Sequence, residues 1–167
     1  MKGARYFIGV TLLCLLIILW SLGYAEEKVP YPLSGLERQA VDFSLKDLNG
    51  RTVSLKDYKG RNVLLVFTTT WCPYCKREIP DLKKMHEAYR GKLDILAVYI
   101  NESQKKVEAF VKDYKIPYTV LLDPKAEVAR AYGVFGVPTK VLVGKDSKIY
   151  CFMCRSLDVM LEKLIGK

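Results

Sequence analysis

Residues 62–75 read Asn62-Val63-Leu64-Leu65-Val66-Phe67-Thr68-Thr69-Thr70-Trp71-Cys72-Pro73-Tyr74-Cys75. The first six form an apolar, β-prone run of the kind found in core strands. From Pro73 the spacing becomes helical, with Ile79, Leu82, Met85 and Tyr89 on one face as far as about residue 89, and Pro80 should kink that helix. A strand therefore delivers two thiols, three positions apart, onto the first turn of a helix. Free backbone N–H groups and the positive end of the helix dipole favour an anion there, here the Cys72 thiolate, so the Cys72 pKa should be lowered. Cys72 is expected at the exposed start of the helix, and Cys75, one turn further in, suits the resolving role. A lone CxxC also fits half a zinc site or a structural disulfide. Its place between strand and helix, with Trp71 before it and Pro73 inside it, favours a redox dithiol.

The chain has 167 residues, enough for one segment plus one domain, and half of them are apolar. Its net charge is +9, and removing residues 1–25, whose only charges are Lys2 and Arg5, leaves +7. The cations (Lys56, Lys59, Arg61, Lys83, Lys84, Lys105, Lys106) are interleaved with acids and form no aromatic-basic platform. They read as solvated faces with some attraction for anionic partners, and offer little case for nucleic acid.

Residues 6–25 are uncharged and mostly apolar, preceded by Lys2 and Arg5 and followed by Glu26 and Glu27. Basic residues stay inside, so the chain beyond Ala25 is expected outside the cytoplasm. Gly23-Tyr24-Ala25 suits a signal-peptidase site, while the length of the run, with Trp20 and Tyr24, suits a membrane anchor. Residues 1–25 are thus a signal peptide or an N-terminal membrane anchor. Cys14, within them, reads as a buried apolar side chain, and Leu13 before it argues against a lipoprotein site. Residues 26–39, with Pro30 and Pro32, read as an extended linker, and residues 40–167 as one domain.

Within the domain, Val41, Phe43 and Leu45 alternate with polar residues, Asn49-Gly50 turns the chain, and Val53 and Leu55 alternate again. That is a β-hairpin. Residues 55–60 read as a helical turn ended by Gly60, and 93–100 as the next strand. Ser103 is placed to cap a helix bearing Val107, Phe110, Val111 and Tyr114. A short strand over 118–122 precedes Asp123-Pro124, a cap with proline at the first helical position, which opens a helix to Tyr132 and Gly133. Strands 139–143 and 148–152 flank a turn at 144–147, and Ser156 caps a last helix. Strands alternating with helices, then a terminal hairpin and helix, predict a mixed-sheet α/β sandwich.

The strings Ala40-Val41-Asp42-Phe43-Ser44-Leu45, Asn49-Gly50, Tyr58-Lys59-Gly60, Cys72-x-x-Cys75-x-x-Glu78-x-Pro80 and Val137-Pro138-Thr139 together resemble the thioredoxin superfamily. Within it the chain looks most like the ResA/TlpA branch of extracytoplasmic thiol–disulfide oxidoreductases, over about residues 40–150. The resemblance implies a thioredoxin-like three-layer sandwich with a mixed central sheet and an N-terminal β-hairpin. It implies that Pro138 is cis and sits beside the dithiol, leaving the Val137 backbone free to pair with an extended substrate. Trp71, Pro73 and Tyr74 would complete the substrate-binding surface. Six residues before Cys72, where thioredoxins hold a buried acid, stands Val66, and the resemblance instead makes Glu78 the proton handler for Cys75. His86, the only histidine, reads as packing or surface.

The mechanism implied is attack of the Cys72 thiolate on a substrate disulfide, then release of product by Cys75, with no cofactor beyond the Cys72–Cys75 disulfide. Two hints on direction pull apart. Pro73-Tyr74, Lys76 and Arg77 favour a stabilised thiolate and a less reducing pair, while the resemblance implies reductive work on apocytochromes or other extracytoplasmic thiols. It also implies a membrane electron donor of the DsbD/CcdA type. Two rivals use the same residues. A peroxiredoxin-like peroxidase shares the fold, and Thr69 sits three before Cys72, but proline is wanted where Leu65 stands. A metal-binding or chaperone module would use all four domain cysteines.

Cys151-Phe152-Met153-Cys154 departs from the family pattern. Counting back from the 144–147 turn sets Val143 opposite Lys148, Lys140 opposite Cys151 and Thr139 opposite Phe152. Residues three apart in a strand face opposite sides, so a Cys151–Cys154 disulfide requires the strand to end between them. A second redox pair, a structural disulfide and a metal site all remain open.

Overall fold

The computed structural model describes residues 38–154 and 157–166, so residues 1–25, most of the linker and the Ser156 cap lie outside the described residues. No described helix is long and apolar enough to cross a membrane. Seven strands form one mixed sheet in the order β2-β1-β5-β4-β3-β6-β7. They are β1 (Ser44–Asp47), β2 (Thr52–Ser54), β3 (Asn62–Thr68), β4 (Leu93–Ile100), β5 (Thr119–Asp123), β6 (Thr139–Val143) and β7 (Ile149–Phe152). The N-terminal hairpin pairs Leu45 with Val53 and is joined antiparallel to β5. Upstream, Gln39 already bridges Lys148.

β3 is buried at every residue because helices cover both faces of the sheet. On one face α1 (Pro73–Ala88), α2 (Gln104–Asp113) and α4 (Leu157–Ile165) pack over Leu64, Val66, Ala97, Tyr99 and Leu142. On the other, α3 (Glu127–Ala131), the 3-10 turn Leu55–Tyr58 and Tyr132 cover Leu65, Phe67, Val98 and Val141. The alternation along β3 sends its side chains to these two cores in turn. This is the expected three-layer α/β sandwich.

α1 runs as one helix with Pro80 inside it. Three local expectations change. Ser103 stands at the N-cap of α2 but makes no side-chain cap bond; its carbonyl accepts from Lys106 and Val107 instead. α3 begins at Glu127, not at Pro124. Asp123 still caps it, from the end of β5, its carboxylate accepting from the Glu127 and Ala129 amides at 2.9 Å each. Pro124 and Lys125 occupy the intervening turn, which closes with Ala126 in the left-handed region at φ 53°.

The third is the β6–β7 register. Cys151 faces Leu142 and Phe152 faces Val141, two places from the counted pairing, with an irregularity between Leu142 and Val143. Tyr150 is the extra residue, and its ring lies over Gly144, where a Cβ would come within 2.4 Å of it.

Candidate active site

β3 ends at Thr68 and α1 begins at Pro73, so residues 69–72 carry the chain from the sheet to the helix N-terminus. Cys72 is the N-cap, and its sulfur accepts the Cys75 amide at 3.4 Å. This thiol is buried, not exposed as the sequence suggested: both cysteines are 4% accessible and both are free thiols. The two are chemically unequal. Burial opposes ionisation of Cys72, but hydrogen bonds from the Cys75 thiol and from the Cys75 and Tyr74 amides outweigh it, and its pKa falls below the ordinary thiol value. For Cys75, burial dominates despite hydrogen bonds from Thr68 and the Thr69 amide, and its pKa is pushed up to about 11. One thiol is the more readily ionised and the other is held protonated.

The Cys72 thiol also donates to the Val137 carbonyl at 3.6 Å, and the Val137–Pro138 peptide is cis. Val137 and Cys72 thereby share one wall of an apolar groove of about 580 Å³, lined also by Trp71, Tyr74, Ile100 and Phe135. Trp71 and Tyr74 are each 63% exposed, and Phe135 is fully exposed. The Arg77 guanidinium lies 4.3 Å from the centre of the Tyr74 ring, which holds that ring at the rim.

Glu78 lies one turn beyond Cys75, as the spacing requires, but its partner was not foreseen. Its Oε1 accepts from Lys140 Nζ at 2.6 Å, while its Oε2 is buried with no hydrogen-bond partner. The charge of Glu78 acts against ionisation of both Cys72 and Tyr118. Lys140 is a cation amid the apolar run of β6, and that misfit was the available sequence signal. His86 is half-buried and packs edge-on against Tyr118.

Glu102 is the second residue the sequence reading missed. It is buried two residues beyond β4, accepting from Thr70 N at 2.7 Å and Thr70 Oγ1 at 2.5 Å, with Lys106 Nζ at 2.7 Å. It thereby fixes the segment leading into Cys72. An acid just past the carboxyl end of a central strand is where open α/β sheets place their sites.

Cys151 and Cys154 are disulfide-bonded, with Cα atoms 5.5 Å apart. The four cysteines are not gathered: among the described residues no group of three or more His, Cys, Asp or Glu could hold a metal ion. A four-thiolate centre is therefore not formed. Leu65, where a peroxidase would have proline, is fully buried in β3.

Residues 36–151 match the AhpC/TSA family. The chain is 33% identical over 158 residues to thiol-disulfide oxidoreductase ResA of Bacillus thuringiensis, covering 89% of this chain and 87% of that one. With ResA of Bacillus subtilis the identity is 33% over 154 residues, covering 89% and 84%. Among solved structures, the thioredoxin domain of a thiol-disulfide oxidoreductase from Bacteroides vulgatus superposes with a TM-score of 0.71 at 26% identity, covering 78% of this chain and 97% of that one. StoA from Bacillus subtilis superposes with a TM-score of 0.59 at 28% identity, covering 68% and 87%.

Proposed function

Because the chain belongs to the AhpC/TSA family, as a thiol–disulfide oxidoreductase related to ResA, we propose that it reduces protein disulfides, with Cys72 as nucleophile and Cys75 as resolving thiol. The observation that carries this reading is the split between the two thiols, Cys72 lowered and Cys75 raised to about 11. The Cys72 thiolate attacks one sulfur of the substrate disulfide. That bond breaks, a mixed disulfide forms, and the leaving thiolate takes a proton. Cys75 then loses its proton and attacks Cys72 Sγ, releasing the second substrate thiolate. The substrate gains two electrons and two protons, and the pair becomes the Cys72–Cys75 disulfide.

Glu78 is the assigned acceptor of the Cys75 proton, its free Oε2 being available while Lys140 holds Oε1. Trp71, Pro73, Tyr74 and Phe135 form the apolar side of the substrate groove. The Val137 backbone, beside cis Pro138, offers hydrogen bonds to an extended substrate segment. No cofactor beyond the dithiol enters the cycle.

The working place we assign is extracytoplasmic, on the charge asymmetry about residues 6–25, retained as an anchor or cleaved as a signal peptide. The substrate class is the disulfide of an extracytoplasmic protein such as an apocytochrome, and a membrane dithiol donor of the DsbD/CcdA type restores the reduced state. The test is reduction of an oxidised Cys-x-x-Cys-His peptide by the reduced chain. Stoichiometric peptide reduction is expected, with Cys72→Ser inert and Cys75→Ser trapped as the mixed disulfide. A chain that leaves the peptide oxidised, or a Cys75→Ser variant that turns over normally, rules the mechanism out.

A further inference from the structure

We propose that Cys151 and Cys154 form a second thiol–disulfide exchange site, separate from Cys72–Cys75, which takes two electrons from the CxxC dithiol of another protein. The pair sits where β7 stops. Cys151 is in the strand, Phe152 ends it, and Met153 turns the chain through the left-handed region at φ 54°. That turn brings Cys154 back to the side of Cys151, which a continuing strand would forbid. The Cys154 amide donates to the Lys140 carbonyl at 3.5 Å, so the turn is also tied to β6.

The surroundings are those of an exchange site. Cys151 is half-buried and Cys154 is buried, so an incoming thiolate meets Cys151 and Cys154 is the leaving group. Phe152 and Met153 project into solvent at 40% and 64% exposure, apolar side chains beside a disulfide much as Trp71 and Tyr74 stand beside Cys72. Cys154 opens on a cleft of about 420 Å³ between α1 and α4, separate from the groove at Cys72. Lys84 and Lys140 line this cleft, with Asp81 and Asp158; Lys84 is 3.5 Å from Asp81, and Lys140 is bound to Glu78.

As a staple the bond contributes little. A cross-link between residues three apart closes a very short loop, and the chain entropy it removes from the unfolded state grows with loop length. β7 is already held by its ladder to β6.

The exchange balances without a further reagent. The donor thiolate attacks Cys151 Sγ, the Cys151–Cys154 bond breaks, and Cys154 leaves as a thiolate and is protonated. The second donor thiol then attacks its partner sulfur and releases Cys151. The donor is oxidised to a disulfide, and the chain gains two electrons and two protons.

The test uses the full wild-type chain equilibrated in buffers of reduced and oxidised glutathione, quenched with acid, alkylated, and read peptide by peptide by mass spectrometry. The Cys151–Cys154 pair is expected to be half-reduced at a glutathione ratio within about 100-fold of that for Cys72–Cys75. A second pair that stays oxidised in a buffer about 100-fold more reducing than one that reduces Cys72–Cys75 overturns the proposal. The direction of attack has its own readout. Oxidised glutathione should modify Cys151 in Cys154→Ser at least about tenfold faster than Cys154 in Cys151→Ser, and the reverse order overturns the assignment of Cys151 as the attacked sulfur.

Discussion

Lys140 Nζ lies 2.6 Å from Glu78 Oε1, a salt bridge between β6 and α1 with both side chains less than a third exposed. It couples the strand that follows cis Pro138 to the helix that carries Cys75. Glu78 opposes ionisation of Cys72, and Lys140, paired with Glu78, carries the opposite charge. Lys140→Met should therefore raise the Cys72 pKa and slow its alkylation at neutral pH, while Glu78→Gln should lower the pKa and speed it. The double variant should return close to the parent. Removing Lys140 alone should also cost about 1–2 kcal/mol, because it leaves a half-buried carboxylate unpaired. The pH profile of iodoacetamide labelling of Cys72 checks the first expectation and urea unfolding the second; equal shifts in both single variants would sink the coupling.

The split between the thiols has a signature in stability. Folding raises the Cys75 pKa from the ordinary 9.0 to about 11, so the folded reduced chain binds more protons than the unfolded chain between those values. Its contribution is fully present below pH about 9 and is lost as pH rises through about 11, by an amount on the order of 2–3 kcal/mol. Cys72 has the opposite sign: its lowered pKa makes the reduced chain more stable as pH rises from the folded value towards 9.0. The disulfide form titrates neither. The melting temperature of the reduced chain, relative to the oxidised chain, should thus rise towards pH 9 and fall beyond it, and Cys75→Ala should remove the fall.

What could be read from the sequence was what local pattern controls. The Val63–Phe67 run, the CxxC at the helix start and the Val137-Pro138-Thr139 string each announce their place because strand burial and helix-terminus chemistry are short-range. Asp123 was recognised as a cap, yet the helix begins four residues later. Pairing with Ile100 keeps Asp123 in β5, and the chain needs Pro124, Lys125 and a left-handed Ala126 before its amides can reach the carboxylate. The β6–β7 register failed for a similar reason. Counting from the turn assumes a regular ladder, whereas Tyr150 inserts over Gly144, a glycine used for the space it leaves. The partners of Glu102 and Lys140, Thr70 and Glu78, lie 32 and 62 residues away, so local pattern marks the two residues at most as misplaced charges and does not name what they bind.

Glu102 supports a further prediction. Its carboxylate satisfies both the amide and the hydroxyl of Thr70, two residues before Cys72. Glu102→Ala leaves a buried N–H unpaired and releases this segment, so it should cost about 2–3 kcal/mol in unfolding free energy. Displacing Cys72 from its position against the Val137 carbonyl should also lower kcat/KM by about tenfold or more. Glu102→Gln keeps one acceptor and should recover part of both. Urea unfolding and peptide-disulfide reduction, run on the same preparations, separate the two effects; a Glu102→Ala chain of unchanged stability and activity would show that Thr70 needs no anchor.

Phe135 gives the sharpest separation of binding from folding. Its side chain is fully exposed, yet it stands on the wall of the groove that leads to Cys72. An exposed aromatic ring adds almost nothing to stability, so Phe135→Ser should change unfolding free energy by less than about 0.5 kcal/mol. The ring becomes useful when a substrate polypeptide covers it and removes apolar surface from water, which is worth roughly 1–3 kcal/mol for a side chain of this size. The substitution should therefore raise KM for a protein disulfide several-fold while leaving kcat nearly unchanged. Oxidised glutathione, too small to reach from Cys72 across the groove, should be reduced at the parental rate. Equal losses on the protein and on glutathione would mean that Phe135 shapes the thiol site itself and does not form part of the docking surface.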